Sequence, residues 1–227
     1  MITDKLKQDA EPIIYEIYNG DFIQGLIRGD VDRDSVIHYL QADALYLDEF
    51  AKIYAMLIAK TGSRETIKYL LGQMEFLFDG ESGAHDTLAQ AVGMPYEEII
   101  ESGEWFPSAD HYIKHMYYNV YARGNIAFTL SAMAPCPYVY RRIAGLAMEN
   151  NDFEEDHPYR EWFEFYNNDM DATVGVMFDI IDNESQMMTE EEVAVLRKNF
   201  MESAEHELRF FNMAATQERW MEVGVNA

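Results

Sequence analysis

The only cysteine of the chain lies between two prolines, in the run Ala134, Pro135, Cys136, Pro137, Tyr138, Val139, Tyr140. A residue followed by proline is pushed out of the α region, while proline itself suits the first helical position. This predicts Cys136 as the cap of a helix starting at Pro137. Its thiol would then lie at the positive end of the helix dipole, which stabilises a thiolate and can lower a cysteine pKa below the free value of about 8.5. Tyr140, four residues on, falls on the same helical face. The competing use of such a residue is packing, because free cysteine is among the most buried residue types.

Two carboxylates have an equally specific placement. With Val36 at zero and about 100° per residue, Leu40 falls near 40°, Leu47 near 20°, Phe50 near −40° and Asp43 near −20°, in the middle of an apolar stripe. Asp48, Glu49 and Lys52 fall well away from it, as solvated charges should. On a second wheel with Val193 at zero, Phe200, Ala204 and Phe211 lie within about 20° and Glu207 near −40°, whereas Glu202 and Glu205 are far off the stripe. A buried carboxylate costs several kcal/mol unless it is paired, hydrogen-bonded or kept neutral, and a buried Glu with a raised pKa is a natural proton donor. Satisfaction by tyrosine hydroxyls or an arginine, without chemistry, is the alternative for both. Tyr46 shares the face of Asp43, and Phe210 and Phe211 follow Glu207 at three and four positions, so flat walls for a planar ligand are available.

The elements that must carry these groups read as helix after helix. Leu6, Ala10, Ile13, Ile14 and Ile17 mark a first helix ending near Asn19 and Gly20. Phe22 to Ile27 marks a second, ending at Gly29, and Asp32 caps a long third that stops near Gly62. A fourth runs from about Ser63, bent at Gly80 or Gly83, to Gly93, and Pro95 opens a short piece. Ser108 caps a long segment through Tyr112, Met116, Val120, Phe128 and Leu130, with a bend at Gly124. After the cysteine turn a helix ends near Asn150. Pro158 starts another, the stretch from Asp169 to Asp182 gives a further one, and Thr189 with Glu192 forms a capping box for the last. No period-two stretch argues for a strand. The expected fold class is all-α, in one domain over 1–227, without repeats or linkers.

Composition narrows the function classes. The 227 residues contain 17 Lys and Arg against 41 Asp and Glu, a net charge of −24 that repels phosphate backbones and anionic membranes. Nucleic acid and membrane are therefore not expected partners. One cysteine excludes an intramolecular disulfide, the N-terminus lacks a signal-peptide core, and no run approaches the roughly 18 apolar residues of a membrane span. A cytoplasmic protein is the expectation.

Five ordered segments then carry a resemblance: Tyr39 to Leu47 (YLQADALYL), Pro107 to Tyr117 (PSADHYIKHMY), Ala134 to Tyr140 (APCPYVY), His157 to Tyr166 (HPYREWFEFY) and Asn199 to Ala214 (NFMESAEHELRFFNMA). Over essentially its whole length the chain resembles the TenA/thiaminase II family, aminopyrimidine aminohydrolases with a haem-oxygenase-like helical bundle. Cys136 places it with the cysteine-containing branch. The resemblance implies Cys136 as nucleophile and Glu207 as proton donor. It implies Asp43 on the amino and ring nitrogens of the substrate, Tyr46 beside the thiol, and Tyr112, Tyr140 and Tyr166 in the pyrimidine pocket. It further implies a small-molecule pyrimidine substrate, no metal or organic cofactor, and a homotetramer. Trp105, Phe106, Tyr117, Tyr118 and Tyr121 are the candidate aromatics for covering surface between subunits. One departure is visible, since Pro137 stands where some members carry an aromatic residue.

Two other functions fit the architecture. Helical bundles of this kind also host di-iron oxidases, and Glu81 with His85 and Glu202 with His206 have superficially suitable spacing. On the second wheel His206 lies about 140° from the stripe and Glu202 opposite it, so a solvated face is expected for that pair. A non-catalytic pyrimidine-binding or regulatory protein is the other alternative, and the complete Cys, Asp and Glu set argues against it.

Overall fold

The computed structural model describes residues 1–79 and 82–221, and within them every regular element is an α-helix. In chain order these are α1 (Ile2–Tyr18), α2 (Asp21–Arg28), α3 (Arg33–Ile58), α4 (Arg64–Asp79), α5 (Ser82–Ala91), α6 (Tyr96–Glu101), α7 (Pro107–Ala122), α8 (Ile126–Met133), α9 (Pro135–Asn150), α10 (Arg160–Ser185) and α11 (Glu190–Thr216). Local signals explain many of the ends. Asp32 accepts the backbone N–H of Ser35 at 3.0 Å and so caps α3. Thr189 and Glu192 exchange hydrogen bonds as a capping box at the start of α11. Gly29 closes α2 at φ +77°, a left-handed conformation that a residue without Cβ reaches freely.

Two long helices, α3 and α11, run through the interior. The surroundings of α11 include α1, α2, α3, α7, α8 and α9, and α10 packs along α9. Their apolar faces join one contiguous core in which Leu6, Tyr39, Tyr54, Tyr112, Trp162 and Phe200 are essentially inaccessible. Burying side chains of this size contributes roughly 1.5–3 kcal/mol each relative to exposure.

Three sequence expectations change. First, α9 begins at Pro135 rather than Pro137, which puts Cys136 in its first turn. The initial backbone N–H groups of a helix have no partner within it, so neither proline removes a bond there. Ala134 accepts the N–H of Tyr138 while donating its own to Leu130, so α8 and α9 meet at a single residue. Second, the segment expected to bend at Gly124 is two helices, and α7 opens at Pro107 behind Phe106 rather than at a Ser108 cap. The continuation expected from the fourth helix to Gly93, bent at Gly80 or Gly83, passes through residues 80 and 81, which lie outside the described residues. Third, the two helices expected after Pro158 are one, α10. The run Asn167, Asn168, Asp169 holds no glycine or proline to end a helix.

Among the expected surface aromatics, Phe106 is buried, stacked on His38 with ring centroids 3.6 Å apart. Tyr118 and Tyr121 are 67% and 74% exposed. Among the described residues no helix is long and apolar enough to cross a membrane.

Candidate active site

Helices α3, α4, α9 and α10 line a cavity that opens to solvent. Its wall carries Asp43, Cys136, Tyr140 and Tyr166, four of the seven residues singled out in the sequence, together with Leu47, Phe50, Tyr54, Gln73, Phe76, Leu77, Pro137 and Thr173. The lining is mostly aromatic and aliphatic, with a few convergent polar atoms, as a site for a flat heterocycle requires. Pro137 contributes to that wall.

The other three lie behind the thiol. Glu207 on α11 is 2% exposed, hydrogen-bonds to Cys136, and accepts the hydroxyl of Tyr112 on α7 at 2.7 Å. Tyr46 on α3 packs on Tyr112 at 5.2 Å between centroids and points its hydroxyl at Met116 Sδ, 4.0 Å away. It lies close enough to Cys136 for the two to interact electrostatically. All seven residues, drawn from five helices, therefore meet at one place.

Burial pushes the Glu207 carboxyl up to about 8, against the hydrogen bond from Tyr112, with a further upward push from Asp43 and a downward one from Cys136. At neutral pH Glu207 consequently holds a proton next to a thiol. Tyr46, Tyr112 and Tyr140 are raised well above the ordinary phenol range, first by burial, so each remains a neutral hydroxyl. Tyr140 shares a 2.7 Å hydrogen bond with Tyr39 and lies 4.8 Å from the Tyr166 ring. Phe210 and Phe211, the aromatics after Glu207, pack on Tyr46 and Tyr140 respectively.

One participant was named in the sequence only as a candidate metal ligand. His85 on α5 is buried with its Nε2 at 2.8 Å from Asp43 Oδ2, and its ring stacks on Tyr96. Its burial had a local signal, since His85, Leu88, Ala89 and Val92 recur at helical spacing and all are buried. Its partner, 42 residues away in sequence, had none.

His206 is also buried, contrary to the solvated face expected for it, because α11 is covered on several sides. It packs against Tyr112, His111 and His115, while Glu202 lies 3.9 Å from His115. Glu81, the other carboxylate of the di-iron alternative, lies outside the described residues. Among the described residues no three His, Cys, Asp or Glu side chains are arranged to hold a metal ion.

Known proteins match this chain along almost its whole length. Residues 7–217 match the model of the TENA/THI-4/PQQC family. The aminopyrimidine aminohydrolase of Staphylococcus carnosus (strain TM300) is 46% identical over 218 residues, 96% of this chain and 96% of that protein. The aminopyrimidine aminohydrolase of Staphylococcus aureus (strain COL) is 45% identical over 96% of this chain and 95% of its own. Among solved structures, a TenA homologue from P. horikoshii OT3 superposes with a TM-score of 0.80 at 26% identity, covering 95% of this chain and 99% of that one. A domain with a heme oxygenase-like fold from Shewanella denitrificans os217 gives 0.71 at 16% identity, covering 95% and 92%, and so speaks to fold alone. The chain belongs to the TENA/THI-4/PQQC family, and its fold is all-α and haem-oxygenase-like.

Proposed function

We propose that this protein is an aminopyrimidine aminohydrolase of the thiaminase II type. It hydrolyses 4-amino-5-aminomethyl-2-methylpyrimidine, and thiamine, to 4-amino-5-hydroxymethyl-2-methylpyrimidine, with thiamine salvage as its role. The observation that carries the reading is the Cys136 thiol in the cavity wall, hydrogen-bonded to a Glu207 that is protonated at neutral pH. The identity of 45–46% to aminopyrimidine aminohydrolases supports the substrate class.

The chemistry follows from what each group can give. Cys136, as the thiolate, forms a bond from Sγ to C6 of the pyrimidine while ring N1 takes the proton of Glu207, which breaks aromaticity. The lone pair of the 4-amino group then drives electrons through C5, and the bond from the exocyclic carbon to the leaving group breaks, the aminomethyl group departing from its protonated form as neutral ammonia and the thiazolium as neutral thiazole. Asp43 accepts a hydrogen bond from that amino group as it gains positive charge. Water adds to the exocyclic carbon and gives its surplus proton to the released ammonia or to solvent, the Sγ–C6 bond breaks to restore the thiolate, and the N1 proton returns to Glu207. Tyr140 and Tyr166 supply the flat walls, and no step calls on a metal or organic cofactor.

The test is Cys136→Ser, assayed by chromatography of the hydroxymethylpyrimidine product from both substrates. Turnover should fall at least about a thousandfold with an unchanged far-UV CD spectrum. Full activity in this variant would remove the covalent mechanism. The reading extends to one domain over 1–227, supported by the contiguous core, and to a cytoplasmic location, suited to a chain with one free cysteine. It also extends to a homotetramer, for which exposed Tyr118 and Tyr121 are candidate contacts and light scattering at micromolar concentration is the measurement.

A further inference from the structure

The pairing of His85 with Asp43 has no part in the mechanism above. Both side chains are more than nine-tenths buried, on α5 and α3, and Asp43 forms part of the cavity wall while His85 does not. The imidazole therefore approaches the carboxylate from behind. Stacking on Tyr96, with ring planes 10° apart, fixes the imidazole plane. A buried polar pair of this kind is commonly replaceable by apolar side chains at no loss of stability, so packing alone does not account for it.

The geometry of an aminopyrimidine gives it a use. The exocyclic amino group presents N–H donors, and its nitrogen becomes positive as the leaving group departs. A carboxylate free to rotate would divide its two oxygens among several orientations, whereas one held at Oδ2 offers Oδ1 in a fixed direction. We propose that His85 is a positioning residue for the reaction: as the Nε2–H tautomer it donates to Asp43 Oδ2 and commits Oδ1 to the amino group of the substrate. This inference rests on the functional reading above, and it adds the residue that sets the orientation of the substrate clamp.

A double-mutant cycle separates it from a structural role. His85→Leu keeps bulk without a donor, and His85→Gln keeps an N–H that reaches the same oxygen. With aminomethylpyrimidine as substrate, His85→Leu should lower kcat/KM roughly tenfold to a hundredfold, and His85→Gln should recover most of it. The double variant Asp43→Asn with His85→Leu should be no slower than Asp43→Asn alone, because His85 acts only through the carboxylate. Multiplicative losses in the double variant, or equal losses in Leu and Gln, would overturn the inference and leave the functional reading intact. A parent protein that turns over neither aminopyrimidine nor thiamine would overturn the functional reading and this inference with it.

Discussion

Residues 206 and 207 are neighbours on α11, and they bury two titratable groups with opposite consequences. Glu207 faces the cavity side, where Tyr112 and Cys136 satisfy it, and burial raises it to about 8. His206 faces α7, where burial lowers it to about 3 with help from His115, His111 and Arg209, and its Nδ1 has no hydrogen-bond partner. Desolvation dominates both shifts. A perturbed titration alone therefore does not mark a site. A nucleophile and a cavity beside the group do, and only Glu207 has them.

Glu207→Gln tests the catalytic half of this contrast and should have the largest effect. The protonated carboxyl is the working form, so kcat/KM in the parent should fall as pH rises through about 8. Gln cannot give a proton, so kcat should drop roughly a hundredfold or more and that alkaline limb should disappear. The stability linkage has a definite sign as well. The folded state holds the Glu207 proton up to about 8 while the unfolded chain releases it near 4.5, so parent stability declines as pH rises between those values. Melting temperatures of Gln and parent should diverge in favour of Gln across pH 5 to 8. A parent-like rate in Gln would make Glu207 a structural carboxylate.

Tyr112→Phe sharpens the same comparison with a smaller effect. The hydroxyl of Tyr112 holds Glu207 down, so its removal should move the alkaline limb to higher pH while kcat falls about tenfold. A limb that stays in place would mean that another group sets it.

The contrast also explains what the amino-acid sequence could convey. Asp43 and Glu207 were legible because each interrupts the apolar stripe of its own helix, a pattern contained in a few turns. Cys136 was legible from its flanking prolines, although they placed the helix start two residues late. His206 was misread because a wheel describes one stripe, and α11 is packed on several sides, so residues off the stripe are covered too. The pairing of His85 with Asp43, and the meeting of Tyr112 with Glu207 across 95 residues, are products of helix packing that no local spacing encodes. That α10 is one helix where two were expected has a related reason. Propensity marks where a helix could end, and tertiary packing decides whether it does.

The smallest expected effect is the sharpest test of the unreactive half. His206→Phe keeps a flat ring against Tyr112 and removes the buried nitrogen that lacks a partner, so stability at pH 7 should change by no more than about 1 kcal/mol. Turnover should remain within about threefold of the parent, since Tyr112 still donates to Glu207. Acid response is where the variants should part. The folded state keeps His206 neutral down to about 3 while the unfolded chain takes up a proton near 6.5, so the parent loses stability as pH falls below about 6.5. Phe cannot be protonated, so the drop in melting temperature from pH 7 to pH 5 should shrink in His206→Phe. Buried His38, lowered to about 4 by burial first and by Arg219 second, should sustain part of the remaining slope. An undiminished acid drop in His206→Phe would show that His206 is reached by protons in the folded state, and the two neighbours on α11 would then differ less than their burial implies.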